Sequence, residues 1–509
     1  MNHKKSFQFF RPPDTKNALR ELRSRQPSHW EHEGEKMALR LFDFTSRKVP
    51  AYRSFLKKHG VNPRKIKTIA DFKTLPVMDK ASYLRKYEYL DLFPNRDISS
   101  ATTISATSGS SGEPFYFPRG EEQDAQYEYT AEILLKNQFE IDKNSTLGII
   151  GFALGIWIGG IFTYKNLNKI ASKGYPLSLT PVGPNIHFYL PVIKKFGGYF
   201  DQIILMGYPP FIKDVIDSAN QYGVDWKKYR VKILTATEAF SEGFRDYVAK
   251  HAHVRNPLTD IVNIYGTVEL GTMAYETPLA NLIRKFTNNN KKIAKEIFPL
   301  GSHNRMPTLA QYYPYFTYFE EINGEVIGSG YGSVFPLLRY SFPDRGGVIS
   351  FDDMLERLRR AGINIFDFAK SEKITKTVLK LPFVYVYDRE GNSLVVRGAN
   401  IYAEHVRTAM NAKLFASFIT GKFSMVKKED RKKNEYFELH VELRRGRRVD
   451  RMLQKKIQDE VVKTLRRLNS EYNDQFQTAP HVMTPPIILH PYQDSAYFQP
   501  GVKQKWVKR

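Results

Sequence analysis

"ISATSGSSGEPFYF", residues 104–117, places four hydroxyl side chains and two glycines in the six positions 107–112, between stretches that read as strands. Successive Gly and Ser residues let backbone N–H groups converge on an anion, and hydroxyls add donors for its oxygens. The stretch therefore reads as a cradle for phosphate groups, with a plain Ser/Gly linker as the alternative. It is not a Walker loop, because the Gly-Lys-Ser/Thr ending is missing and Glu113 follows Gly112.

On either side the pattern is that of a layered α/β protein. From about 100 to 350, short runs such as "TLGIIGF", "QIILMGY", "VKILTATE" and "IVNIYG" alternate with helical stretches such as "FIKDVIDSANQYG". That alternation predicts helices packed on a largely parallel sheet. Residues 30–100 predict helices broken by Pro and Gly, and 287–307, "TNNNKKIAKEIFPLGSHNRMP", reads as an exposed insertion. "VYVYDREGNSLVVRG", 384–398, reads as a hairpin turning at 390–392. In the last segment, "FASFITGKFSMV" and "EYFELHVEL" predict strands. A helix follows with Leu453, Ile457, Val461, Leu465 and Leu468 on one face, which makes a small α+β unit.

At 509 residues with 42% hydrophobic and 14% aromatic content, the chain can build more than one core. It has no cysteine, which excludes disulfides, thiolate nucleophiles and thiolate zinc sites. The opening "MNHKKSFQFFRPPDTK" has no apolar core of signal-peptide length, so a cytoplasmic location is expected. The apolar run 147–162 is 16 residues with five glycines, too short for a membrane span, and reads as buried strand and loop. A net charge of +24 suits polyanionic partners, or simply a solvated basic surface. The charge is concentrated: residues 391–509 hold 23 Lys and Arg against 12 Asp and Glu. No recognised nucleic-acid-binding motif accompanies it, so nucleic acid is not expected as a partner.

Five stretches in order carry a resemblance. "TSGSSGEP" resembles the phosphate loop of the adenylate-forming enzymes, the acyl-CoA synthetase superfamily. "IYGTVELG" (264–271) looks like its aromatic-Gly-x-Ser/Thr-Glu motif, and "PLLRYSFPDRGG" (336–347) is similar to the segment ending in its ribose-binding aspartate. "DREGNSLVVRGANIYAEHV" (388–406) looks like its interdomain hinge, and "YFQPGVKQKWVKR" (497–509) like the ending with the adenylation lysine. The early stretch 49–87 and "RGANIYAEHV" most resemble the phenylacetate-CoA ligase branch, which also holds coenzyme F synthetase-like and capsule-biosynthesis proteins.

The resemblance implies a large multi-layer N-terminal domain with mixed or parallel sheets (1–386), a hinge (387–391) and a small mobile α+β C-terminal domain (392–509). It implies that ATP and a small-molecule carboxylic acid form an acyl- or aryl-adenylate, whose acyl group passes to coenzyme A. Transfer to an acidic carrier protein or another nucleophile is the alternative, as is a degraded homologue that only binds nucleotide. Carried over residue by residue, Thr107, Ser108, Gly109, Ser110, Ser111 and Gly112 would hold the ATP phosphates. Ala236, Thr237 and Glu238, with Tyr265 and Gly266, would form the adenine site. Asp344, assisted by Arg389, would bind the ribose. Glu269 would hold Mg²⁺, a hard ion that prefers carboxylate oxygen. Lys503 would be the adenylation lysine, with Lys505 as the other candidate, and Phe152 and Trp157 would line the acyl pocket.

Bland readings stand beside these: core packing for Tyr265, Phe152 and Trp157, a surface carboxylate for Glu269, an ordinary turn at "PDRGG" and a solvated tail at Lys503. Three positions depart from the family pattern. Val268 stands where Ser or Thr is usual, Gly391 replaces the hinge aspartate, and Glu113 replaces a common lysine.

Overall fold

Near-continuous apolar runs at 146–150, 202–207 and 231–235 become strands buried along their whole length, as parallel sheets covered on both faces require. The computed structural model describes residues 15–107, 114–298, 306–389, 393–498 and 506–508. The chain is a mixed α/β fold that divides into two units: Met1–Ala106 with Tyr116–Asp388, and Arg389–Arg509 with the segment Thr107–Phe115.

In the larger unit, β1 (Thr103–Ala106) and β2 (Tyr116–Arg119) pair antiparallel as a separate two-stranded sheet. The strands β3 (Thr146–Ile150), β4 (Leu177–Thr180), β5 (Gln202–Gly207), β6 (Val231–Thr235) and β7 (Ile261–Thr267) pair in parallel, in the order β4-β3-β5-β6-β7. Parallel neighbours need crossovers, and the helices Ile158–Ala171, Ile186–Phe196, Pro209–Ser218 and Glu242–His251 supply them. Beyond β7 the sheet continues through β8 (Gly271–Tyr275), β9 (Thr308–Tyr312), β10 (Thr317–Ile322), β11 (Glu325–Gly330), β12 (Leu337–Ile349) and β13 (Phe383–Arg389). The full order is β10-β11-β12-β13-β9-β8-β7-β6-β5-β3-β4, and pairing turns antiparallel at β7 and β8.

Two local expectations are corrected. The 384–398 stretch is not a hairpin: β13 pairs with β9 in the main sheet, whereas β14 (Ser393–Val396) pairs with β15 (Ala399–Tyr402) in the smaller unit. The slot beside β9 buries Phe383, Val384 and Tyr385, which a free hairpin would leave half exposed. Of the exposed insertion expected at 287–307, residues 288–292 are exposed but the stretch to 298 is helical and anchored, and 299–305 lie outside the described residues. The helices Pro278–Asn289 and Lys291–Ile297 run through 287–298, and Ile297 and Phe298 enter the core. The apolar run 147–162 becomes β3, a loop and the first turns of the helix Ile158–Ala171. Among the described residues, no helix is long and apolar enough to cross a membrane.

The smaller unit has its own core. A four-stranded sheet, β18 (Ile487–His490), β17 (Glu435–Leu443), β16 (Ile419–Glu429) and β19 (Val507–Lys508), packs with the helix Arg451–Leu468. That helix buries Leu453, Ile457, Val461 and Leu465, but Leu468 is left 39% exposed where the last turn leaves the core.

A charge network is sealed inside the larger unit. Arg245 Nη2 donates to Glu276 Oε2 at 2.8 Å and its Nε to Glu242 Oε2 at 3.1 Å. Arg284 pairs with Glu276 through Nη1 and with Glu242 Oε1 at 3.3 Å. All four side chains are buried. Burial works against the Glu242 carboxylate, yet Arg245 and Arg284 hold it below the usual carboxylate range. A buried pair of each sign is tolerable only complete, because removing one member leaves an uncompensated charge. Glu276→Ala is therefore expected to destabilise the protein by about 3–5 kcal/mol, read from the urea midpoint. The depressed Glu242 pKa also has a pH consequence. Below the ordinary carboxylate range the unfolded chain binds more protons than the native one, so the stabilisation is complete at neutral pH and lost on acidification through the native pKa. Urea midpoints measured from pH 7 down to pH 3 check the direction.

Candidate functional site

The strand β7 ends in Tyr265, Gly266 and Thr267, and the chain turns through Val268, Glu269 and Leu270 into β8. Thr267 lies opposite Gly271, and Leu270 N donates to Thr267 Oγ1 at 3.2 Å, so that hydroxyl serves its own turn. A Cβ on Gly266 would stand 2.6 Å from the Gly271 carbonyl oxygen, at the point where the register slips. Only glycine lets the two strands close there.

The long strand β12 brings Asp344 to this end of β7. The Tyr265 hydroxyl donates to Asp344 Oδ2 at 2.7 Å across 79 residues of sequence, and Asp344 is 4% exposed. The Tyr265 ring lies nearly parallel to Phe319, centroids 6.4 Å apart. An aromatic face and a carboxylate are thus held together where the parallel half of the sheet ends.

Beside them the chain leaves β6 through Ala236, Thr237 and Glu238. Ala236 is half-buried, Glu238 buried and Thr237 exposed. Thr237 has a φ of +82°, in the region a β-branched residue avoids, at a cost of about 1–3 kcal/mol. The loop is held from beneath: Asn263 Nδ2 donates to the Glu238 carbonyl at 3.1 Å, and Arg284 Nη2 to the Phe240 carbonyl at 2.9 Å. Asn263 is itself fixed, its N–H donating to Glu276 Oε2 at 3.0 Å and its Oδ1 accepting from Thr235 Oγ1 at 3.0 Å. The strained loop therefore rests on the buried charge network.

Glu269 is half-buried in the β7–β8 turn. Behind it stands Arg119, the last residue of β2, fully buried and unnoticed in the sequence. Its Nη2 donates to the Val268 carbonyl and its Nη1 to the Phe117 carbonyl at 3.2 Å, while Nε has no partner among the described residues. Burial lowers the guanidinium to about 10, against the opposing pull of Glu269 and Asp124, so it remains charged at neutral pH. Its partner Val268 lies 149 residues away, which no local pattern reveals.

A lone carboxylate on a turn fits Mg²⁺, which usually takes one or two carboxylates along with substrate phosphates and waters. Among the described residues no group of three acidic or His side chains is gathered for a metal.

Other expected positions are more scattered. Phe152 is buried in the core, in a loop after β3, and Trp157 is half-buried ahead of the helix Ile158–Ala171. Neither lines the narrow apolar cavity formed by Tyr127, Thr130, Leu134, Leu234, Ile264 and Tyr275, next to Tyr265 in the chain. Thr107 N donates to the Phe115 carbonyl at 2.9 Å, and its Oγ1 accepts from Phe115 N at 3.0 Å. Ser108, Gly109, Ser110, Ser111, Gly112, Glu113, Gly391, Lys503 and Lys505 lie outside the described residues, as does the side chain of Arg389.

No family model matches the chain and no curated protein matches it. Solved structures do. The chain is similar to 2-hydroxyisobutyryl-CoA ligase in complex with 2-HIB-AMP and CoA in the thioesterification state, with a TM-score of 0.61 at 12% identity over 99% of this chain and 94% of that one. It is similar to an open conformation of that ligase with the same two ligands (TM-score 0.53, 12% identity, 99% and 96% covered). It also resembles the postadenylation state with R3-HIB-AMP (TM-score 0.53, 12% identity, 99% and 93% covered). The chain shares the fold of 2-hydroxyisobutyryl-CoA ligase. At 12% identity the likeness extends to the fold alone.

Arg119→Met should loosen the turn that carries Glu269, since a charge-assisted hydrogen bond contributes about 1.5–3 kcal/mol. Hydrogen exchange at Val268 to Leu270 is expected to quicken about 10- to 100-fold, with the amides of β9 unchanged.

Proposed function

We propose that this protein is an ATP-dependent carboxylate ligase that forms an acyl- or aryl-adenylate and passes the acyl group to coenzyme A, akin to the phenylacetate-CoA ligase branch. The observation that carries the proposal is the 2.7 Å hydrogen bond from Tyr265 to Asp344. It joins the two sequence motifs that the resemblance assigns to adenine and ribose, inside a fold shared with a ligase seen with an acyl-adenylate and CoA.

In this reading the Tyr265 ring lies along the adenine, and the strained loop Ala236–Thr237–Glu238 supplies backbone groups to its edge. Asp344 accepts from the ribose hydroxyls through its two carboxylate oxygens. Residues 107–112 hold the phosphates, and Arg119 keeps the Glu269 turn in place. Glu269 would hold Mg²⁺, which when bound offsets charge on the phosphate oxygens. The carboxylate of the substrate attacks the α-phosphorus, the bond to the bridging oxygen of pyrophosphate breaks, and pyrophosphate leaves. Lys503 would bring an ammonium to the oxygens that gain charge in that step. The thiol of coenzyme A then attacks the acyl carbon, AMP leaves, and a thioester remains. The segment 387–391 would serve as the hinge on which the smaller unit turns between the two steps.

ATP–pyrophosphate exchange over a panel of aryl and fatty acids tests the proposal, and exchange with at least one acid is expected. No exchange with any acid would overturn it. Asp344→Ala should raise the KM for ATP much more than that for the acid. Lys503→Ala should slow adenylate formation by about 10²- to 10³-fold, the usual effect of removing one preorganised donor, and leave the reaction of supplied acyl-adenylate with thiol nearly unchanged. Equal loss of both half-reactions would remove Lys503 from this role.

A further inference from the structure

The turn "RRGRR", 444–448, joins β17 to the helix Arg451–Leu468 and is exposed at every residue. Gly446, at a φ of +81°, lets the chain reverse, and Arg447 N donates to the Arg444 carbonyl at 3.0 Å to close it. The turn is fastened to the neighbouring segment 413–418. Arg444 N donates to the Phe418 carbonyl at 2.9 Å and its Nε to the Ala416 carbonyl at 2.7 Å. Arg447 Nε donates to the Ser417 carbonyl at 3.1 Å, with its guanidinium 4.9 Å over the Phe418 ring.

With Arg451, the stretch 444–451 carries five exposed guanidinium groups. None of them pairs with a carboxylate among the described residues, although ion pairs are frequent elsewhere on this chain. Asp450, the acidic residue inside the stretch, is occupied in accepting from Met452 N at 2.9 Å as the helix cap. Large apolar side chains stand among the cations: Met452 is 68% exposed, Val449 58%, Leu414 54% and Phe418 37%. Isolated exposed apolar residues need no explanation, but Leu414 and Phe418 on one segment, and Val449 and Met452 beside the arginines of the other, lie on two stretches bonded to each other.

Polyanions such as nucleic acid or free phosphates would be held by the guanidinium groups and would gain little from exposed Leu, Val and Met. An anionic bilayer uses both: headgroup phosphates take the arginines, and the boundary of the acyl chains takes the aliphatic side chains. We propose that this face of the C-terminal unit docks on an anionic lipid surface, with Leu414, Val449 and Met452 set into the headgroup region. The attachment is peripheral and independent of the ligase reading, since none of these residues belongs to the nucleotide site.

The test is co-sedimentation of the full-length protein with phosphatidylcholine vesicles, with and without a minor fraction of phosphatidylglycerol. Binding is expected only with the anionic lipid and should fall as salt rises. Arg445→Gln with Arg448→Gln should weaken it about 25-fold, roughly fivefold per guanidinium near such a surface. Val449→Ser with Met452→Ser should weaken it about tenfold. All four positions are exposed, so unchanged thermal unfolding verifies that the variants fold. Absence of binding to the anionic vesicles, or equal binding to pure phosphatidylcholine, overturns the proposal. Binding that needs the arginines but ignores Val449 and Met452 overturns it too, and assigns the patch to a soluble polyanion.

Discussion

Glu276 has no solvent contact and stands between two arginines that have scarcely any, so its place is dictated by charge rather than by shape. In a low-dielectric interior each of these four ions is costly alone, and their mutual attraction offsets that cost only when every hydrogen bond is made. The geometry that makes them all is restrictive. It ties the helix Glu242–His251 to the helix Pro278–Asn289, and through Asn263 N it ties both to β7, the strand that carries Tyr265. Arg284 then reaches the Phe240 carbonyl, so the loop leaving β6 is suspended from the same ions. A strained Thr237 can persist there because its surroundings leave the loop few other positions.

The sheet explains why the site lies where it does. Ligands in open α/β sheets gather at the carboxyl ends of parallel strands, where loops diverge. The loop Ala236–Glu238 follows β6 and the Val268–Leu270 turn follows β7, so both arise at those ends. Here the sheet also changes from parallel to antiparallel, because a three-residue turn between β7 and β8 leaves no room for a crossover helix. The antiparallel half then supplies Asp344 from a strand laid down much later in the chain. Arg119 arrives from yet another direction and clamps the turn by its carbonyl.

Much of this was legible in the sequence. Buried runs such as "QIILMG" and "VKILT" announce central strands by composition alone, and the helix Arg451–Leu468 shows its buried stripe from spacing. Gly266 and Tyr265 were marked by the "IYGTVELG" pattern. The hairpin expected at 384–398 failed for a physical reason: alternating residues and a Gly-Asn turn describe two strands equally well whether they pair with each other or with others. The segment 287–298 looked like an insertion because it is polar on most of its surface, and its anchors, Ile297 and Phe298, come at the very end.

Local composition and spacing, by themselves, determined the α/β class, the small α+β C-terminal unit, the absence of cysteine chemistry and the order of the motifs. Each depends on neighbours within a few residues, where periodicity and backbone preference act. Which distant groups meet was decided only by the tertiary structure: Tyr265 with Asp344, Arg119 with Val268, Glu276 between Arg245 and Arg284, and Arg444 and Arg447 with the segment that carries Phe418. Such meetings depend on strand order and on the desolvation of charges, and neither leaves a periodic trace along the chain.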